Sequence, residues 1–191
     1  MTQRTPSQTV GPYLHIGLVP KAYGFRDIFS PVVAAVGQPG QHIRIEGRVF
    51  DSDGVEVKDA MIEIWQADHE GRYAHPADGR PVASNSFRGF GRASTETGGF
   101  VFDTIKPGAV AGPDGSTQAP HINVGVFARG VLKRLHTRIY FPGEAANEKD
   151  PIFALVPADR RNTLLAQPQS GNVFRFDIHL QGDQETVFFD A

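Results

Sequence analysis

The chain has 191 residues, 40% of them apolar, with a formal charge of −2 and no cysteine. That balance excludes disulfide staples and thiolate metal ligands, and it lacks the basic footprint of a nucleic-acid binder. There is no run of 18 apolar residues to span a membrane.

Residues 1–40 read as an irregular N-terminal arm, punctuated by Gly11-Pro12, Val19-Pro20, Ser30-Pro31 and Pro39-Gly40 too often for a long helix. Its opening residues, Met1-Thr2-Gln3-Arg4, are polar and lack an apolar signal core, which favours the cytoplasm. From residue 41 the pattern changes, and 41–191 is expected to form one domain. Residues 42–50 alternate, with Ile43, Ile45 and Val49 on one face and Arg44, Glu46 and Arg48 on the other. Asp51-Ser52-Asp53-Gly54 is a strong turn, and 60–66 reads as the returning strand. The same tetrapeptide imitates a calcium loop, but its glycine comes too early and no helices flank it.

Residues 67–98 are polar and glycine-rich, which predicts long loops with a short strand near Phe90. A strand is expected at 99–105, then a loop over 106–120, then strands at 121–128 and 132–141 separated by Arg129-Gly130. Pro157-Ala158-Asp159 predicts a helix to about residue 166, since proline is tolerated in a first helical turn. Residues 173–180 alternate, and 186–189 suit a last edge strand. About eight short strands, one short helix near the C-terminus and no βαβ rhythm give an all-β fold, a sandwich of mostly antiparallel strands.

The chemistry-bearing signal is half a metal site. His121-Ile122-Asn123 opens a strand, and residues i and i+2 of a strand point to the same side, so His-x-His is a compact way to offer two imidazoles. Here the second position carries an amide, a poor ligand for a transition metal. Tyr73, in Gly71-Arg72-Tyr73, reads either as a packed aromatic with a solvated hydroxyl or as a phenolate ligand for a hard ferric ion, which needs Lewis-acid help. His69 and His75 lie in a loop where solvent exposure is the default. His136, Arg138 and Tyr140 share a strand face and suit packing or subunit contact.

The chain resembles the intradiol ring-cleavage dioxygenase family almost end to end. The resemblance is carried by Thr5-Pro6-Ser7-Gln8-Thr9-Val10-Gly11-Pro12-Tyr13, Ile62-Glu63-Ile64-Trp65-Gln66-Ala67-Asp68, Thr104-Ile105-Lys106-Pro107-Gly108, Ala119-Pro120-His121-Ile122-Asn123 and Phe127-Ala128-Arg129-Gly130. It continues through Phe174-Arg175-Phe176-Asp177-Ile178 and Glu185-Thr186-Val187-Phe188-Phe189-Asp190.

In that family the catalytic chain holds non-haem Fe(III) through two tyrosines and a His-x-His pair. The first tyrosine falls on Tyr73, and the histidine pair falls on His121 and Asn123. The second tyrosine follows a Pro-Gly turn by two residues, and here that position is Val110. The resemblance therefore implies an α-type subunit that binds no iron, beside a β subunit of related fold that carries Fe(III), in a higher-order αβ oligomer. It implies that Thr9, Gly11, Pro12 and Tyr13 of the arm wall the partner's substrate pocket and that Arg129 attracts an anionic catechol carboxylate. The implied reaction is cleavage of 3,4-dihydroxybenzoate with O2 to 3-carboxy-cis,cis-muconate in aromatic catabolism. Two rivals stand beside this reading: a non-catalytic β-sandwich binding or structural module, and an iron-containing dioxygenase acting alone. Val110 and Asn123 oppose the second.

Overall fold

The computed structural model describes residues 18–81, 87–112 and 115–190. Two four-stranded sheets face one another. One has the order β10-β11-β1-β5, built from β1 (His42–Gly47), β5 (Phe100–Ile105), β10 (Gln167–Pro168) and β11 (Val173–Arg175). The other has the order β4-β3-β8-β9, built from β3 (Met61–Gln66), β4 (Phe90–Ser94), β8 (His121–Phe127) and β9 (Leu135–Tyr140). Two small pairs complete the architecture: β2 (Val49–Phe50) with β12 (Ile178–His179), and β6 (Val110–Ala111) with β7 (Thr117–Gln118). The expected all-β sandwich with a short helix is the observed fold.

Alternation decides which face packs. Ile43, Ile45, Phe100 and Phe102 turn inward from the first sheet, and Ile62, Ile64, Ile122, Val124, Val126 and Ile139 from the second, forming one core cluster. The Gln66 side-chain amide ties the sheets across this core. Buried Gln66 accepts the Thr104 hydroxyl at 2.6 Å and donates to the Ile105 carbonyl at 2.9 Å, so both ends of its side chain are satisfied. Residues 31–34 are tied to the outer edge of β5: the Val33 and Ala34 N–H groups donate to the Asp103 carbonyl, and Asp103 N–H donates to the Pro31 carbonyl.

Several element expectations are corrected. The α-helix near the C-terminus, α1 (Pro151–Ala154), lies earlier than the expected 157–166, which forms a turn and a 3-10 helix at Arg161–Leu164. The reason is the cap: Asp150 accepts the N–H groups of Ile152 and Phe153 at 2.8 Å each, with Pro151 at the first helical position. The alternating stretch 173–180 is two strands, each parallel to a different partner: β11 to β1 and β12 to β2. The break at Asp177 matches a break at Arg48, whose N–H donates to the Asp177 carboxylate at 3.0 Å in place of a ladder bond. The expected loop 106–120 contains the β6–β7 pair. Of the edge strand expected at 186–189, an isolated bridge from Phe189 to His136 is present. The Asp51 turn is an Asx turn, its carboxylate accepting from Asp53 and Val55 N–H at 2.9 Å each.

Candidate functional site: a metal position without a metal's chemistry

The outward face of the β4-β3-β8-β9 sheet carries the site. Register aligns Phe90, Trp65, Asn123 and Arg138 in one row across the four strands. One row on, His121 stands opposite Tyr140. Neighbouring side chains in such rows lie about 5 Å apart at Cβ.

Tyr73 reaches this row from the loop after β3. That loop is wound on buried Asp68, which accepts the N–H groups of Glu70 and Arg72 at 2.9 Å each. Gly71 has φ +75°, and a Cβ there would lie 1.8 Å from the Ala109 carbonyl oxygen, so only glycine permits the two loops to touch. The Tyr73 N–H donates to Asp78 at 2.8 Å. Arg80, hydrogen-bonded to the Asp78 carboxylate, holds its pKa down to about 2, with the Tyr73 N–H as the next cause. The Tyr73 ring stacks on Trp65 with centroids 5.7 Å apart and planes 12° from parallel, worth roughly 1 kcal/mol beyond burial. The stacked pair borders an open basin of about 780 Å³, also lined by His75, Phe87, Arg88 and Phe90.

The four positions of the family's ligand set converge, and two of them, Val110 and Asn123, carry no ligand suited to a ferric ion. The Tyr73 hydroxyl accepts from Asn123 Nδ2 at 3.2 Å, and burial raises its pKa against the opposing effects of Asn123 and Arg138, so it is a neutral phenol. Asn123 turns its donor inward, to Tyr73 and to the Trp65 carbonyl at 3.3 Å. Val110 is buried, has no donor atom, and pairs with Gln118 across the β6–β7 ladder. His121 is 1% exposed, and its Nδ1 donates to the Ala119 carbonyl at 2.8 Å. Burial first, and the Arg138 charge second, push its pKa down to about 4, so the ring is neutral at pH 7.

Sequence reading missed the centre of this cluster. Arg138, expected to serve packing or subunit contact, donates from Nη1 to Gln118 at 2.7 Å and to the Tyr140 hydroxyl at 3.3 Å. Buried Tyr140 donates onward to Asp150 at 3.3 Å, and its pKa is pushed up to about 12, mainly by burial. Asp150, 0% exposed, also accepts Ala119 N–H at 2.7 Å besides capping α1. A cation therefore stands among the four positions, and no carboxylate among the described residues pairs with it directly. Register was the signal available: Arg138 lies 17 residues after His121, across one turn. Of the histidines expected in solvent, His75 is exposed while His69 is half-buried, with Nδ1 unpartnered.

Among the described residues no group of three or more His, Cys, Asp or Glu side chains is placed to hold a metal. The residues at the family's iron position do not fit the ion. Arg129 lies past the far end of β8, eight residues from His121 and so up to about 25 Å away along an extended chain. It is 81% exposed, with Nε 3.1 Å from Asp59, so it is no part of this cluster. Thr9, Gly11, Pro12 and Tyr13 lie outside the described residues.

A family model described as "Dioxygenase" matches residues 30–182. The chain belongs to the intradiol ring-cleavage dioxygenase family. It is 48% identical over 199 aligned positions to a protein named protocatechuate 3,4-dioxygenase alpha chain, from Burkholderia cepacia, covering 99% of this chain and 98% of that one. It is 33% identical to the protein named as the beta chain from the same organism, over 88% of this chain and 84% of the relative. Among solved structures it matches the dioxygenase domain of a dioxygenase carbohydrate-binding fusion from Streptomyces sp. SirexAA-E, with TM-score 0.60, 28% identity and coverage of 94% and 99%. Membership of the family and homology to its α chains, together with the unfit ligand set, mark a chain that lacks the catalytic centre of its relatives.

Proposed function

We propose that this chain is the iron-free α subunit of a heteromeric protocatechuate 3,4-dioxygenase. It would join a β subunit of related fold in an αβ oligomer that cleaves 3,4-dihydroxybenzoate with O2 to 3-carboxy-cis,cis-muconate. One observation carries this reading: the four family ligand positions come together, yet two of them present an amide, Asn123, and an aliphatic chain, Val110, beside the Arg138 guanidinium. A fold kept intact around a site that cannot hold its ion serves through its surface.

The surface supports a partner. Between residues 23 and 36 the chain exposes Phe25 at 64%, Ile28 at 62% and Val36 at 103%, with Tyr23, Phe29 and Val32 also exposed. Apolar side chains clustered so closely along one segment suit protein contact. The segment continues directly from the arm carrying Thr9, Gly11, Pro12 and Tyr13, which we assign to the wall of the partner's substrate pocket. Arg129 would reach toward the same pocket, its guanidinium facing the substrate carboxylate. The partner's Fe(III) would supply Lewis-acid activation of the catecholate. This chain would contribute shape, exclusion of water and positive charge.

The test is to purify the chain alone and with its partner, then measure bound iron and oxygen uptake with 3,4-dihydroxybenzoate. Activity is expected from the pair. Iron-dependent turnover by the isolated chain would refute the proposal.

A further inference from the structure

We infer that Arg138 is a built-in cation that bars metal ions from this chain's copy of the metal position, over and above the two lost ligands. The inference rests on geometry within the chain and on the match of four positions to the family's ligand set, and does not need a partner. Each of those positions is linked to Arg138 directly or through one intervening residue. Asn123 is its register partner on β8, and Asn123 in turn holds Tyr73. Val110 is the register partner of Gln118, which accepts from Arg138 Nη1. His121 is the register partner of Tyr140, whose hydroxyl accepts from the same Nη1.

The guanidinium cannot shed its charge, because arginine stays protonated at any working pH. Among the described residues no carboxylate pairs with it directly. Asp150 is reached only through Tyr140, and its carboxylate is already held by the backbone N–H groups of Ala119, Ile152 and Phe153. The side chain is half-buried and fixed at Nη1 by two acceptors, so it is not free to swing into solvent without breaking both bonds. A trivalent ion feels three times the repulsion a monovalent one would. One side chain's length from a unit charge, that repulsion lowers affinity by about a hundredfold or more. Restoring the two lost ligands alone should therefore fail to restore the ion.

Three variants of the full chain test this: Val110→Tyr with Asn123→His, the same pair with Arg138→Gln, and the same pair with Arg138→Lys. Glutamine keeps a donor toward Gln118 without the charge, and lysine keeps the charge. Each is titrated with ferric ion, reading bound metal and the visible phenolate-to-iron absorption, with circular dichroism confirming the fold. The Gln variant is expected to bind iron at least about a hundredfold more tightly than the other two. Equal affinity in the folded variants, including no binding by any, would overturn the inference. Tight binding by the Lys variant would overturn it too, since the charge would then not be the barrier. None of these readings depends on turnover, so failure here is distinct from failure of the proposed subunit role.

Discussion

Acidification should destabilise the isolated chain through one side chain, His121. Its folded-state pKa is pushed down to about 4 from an ordinary 6.5, chiefly by burial and then by the Arg138 charge, with the Ala119 hydrogen bond and Asp150 opposing. Above pH 6.5 the ring is neutral in both states and contributes no pH dependence. Between about 6.5 and 4 the unfolded chain takes up a proton that the folded chain refuses, so stability falls as pH falls. Below about 4 the folded ring protonates too and the loss levels off. A displacement of about 2.5 pKa units corresponds to roughly 3 kcal/mol at 1.36 kcal/mol per unit, a large part of a typical domain's 5–15 kcal/mol.

The assay is urea unfolding of the wild-type chain and of His121→Gln at intervals from pH 8 to pH 4. Glutamine removes the titration while its amide can still donate to the Ala119 carbonyl. His136, whose pKa is lowered by burial and by Arg134 and Arg138, adds pH dependence of the same sign, but it is common to both proteins and cancels in their difference. Asp78 is displaced to about 2, so its contribution is lost only in more acid solution. The wild-type protein should therefore lose roughly 3 kcal/mol more than the variant between pH 6.5 and 4. Parallel profiles within about 0.5 kcal/mol would refute the claim that His121 is held neutral by its surroundings.

Asp150→Ala removes a helix cap and leaves the Ala119 N–H without an acceptor, a loss of about 3 kcal/mol that thermal unfolding would show as a fall of roughly 6–12 °C. A fall under about 2 °C would mean the capping network is not a significant support. Tyr73→Phe deletes one hydrogen bond whose donor, Asn123, keeps the Trp65 carbonyl, so a cost near 1 kcal/mol is expected in urea unfolding. A much larger cost would place Tyr73 in contacts beyond this geometry. In the assembled enzyme, Arg129→Ala should raise the apparent KM for 3,4-dihydroxybenzoate with little change in kcat, and unchanged kinetics would remove Arg129 from the pocket.

Strand existence was legible wherever one face is buried, because alternation at 42–50 and 60–66 is a direct record of inside and outside. Strand breaks were not. The interruption at Arg48 depends on the Asp177 carboxylate, 129 residues away, accepting a backbone N–H, and no local pattern announces it. The misplaced helix has a local cause. Pro157 and Pro151 give the same first-turn signal, but only Pro151 follows a residue, Asp150, whose side chain can accept the exposed N–H groups. The small β6–β7 pair has two residues per strand, too few to show any period. At the site, the resemblance supplied the four ligand positions, and the structure brings them together. Arg138 escaped because a face shared with His136 and Tyr140 suits packing or subunit contact, while its actual neighbours come from register and from the Gln118 side chain.

The loss of a metal raises a physical question, since an ion that joins two loops to a sheet also holds them in place. In this chain the work is divided among ordinary contacts. The Tyr73 loop is locked to the Pro107-Gly108 turn by backbone contact at Gly71 and by the Gly108 N–H donating to the Asp68 carbonyl at 2.9 Å. Tyr73 is pinned to the sheet by Trp65 and Asn123. Arg138 joins β9 to β7, and Tyr140 with Asp150 extends that tie to the start of α1. Each bond is worth about 1 kcal/mol, and together they tie the segments that carry the family's ligand positions. A sandwich held this way keeps its loops set without an ion, which is what a subunit needs if its task is to present a fixed surface to another chain's chemistry.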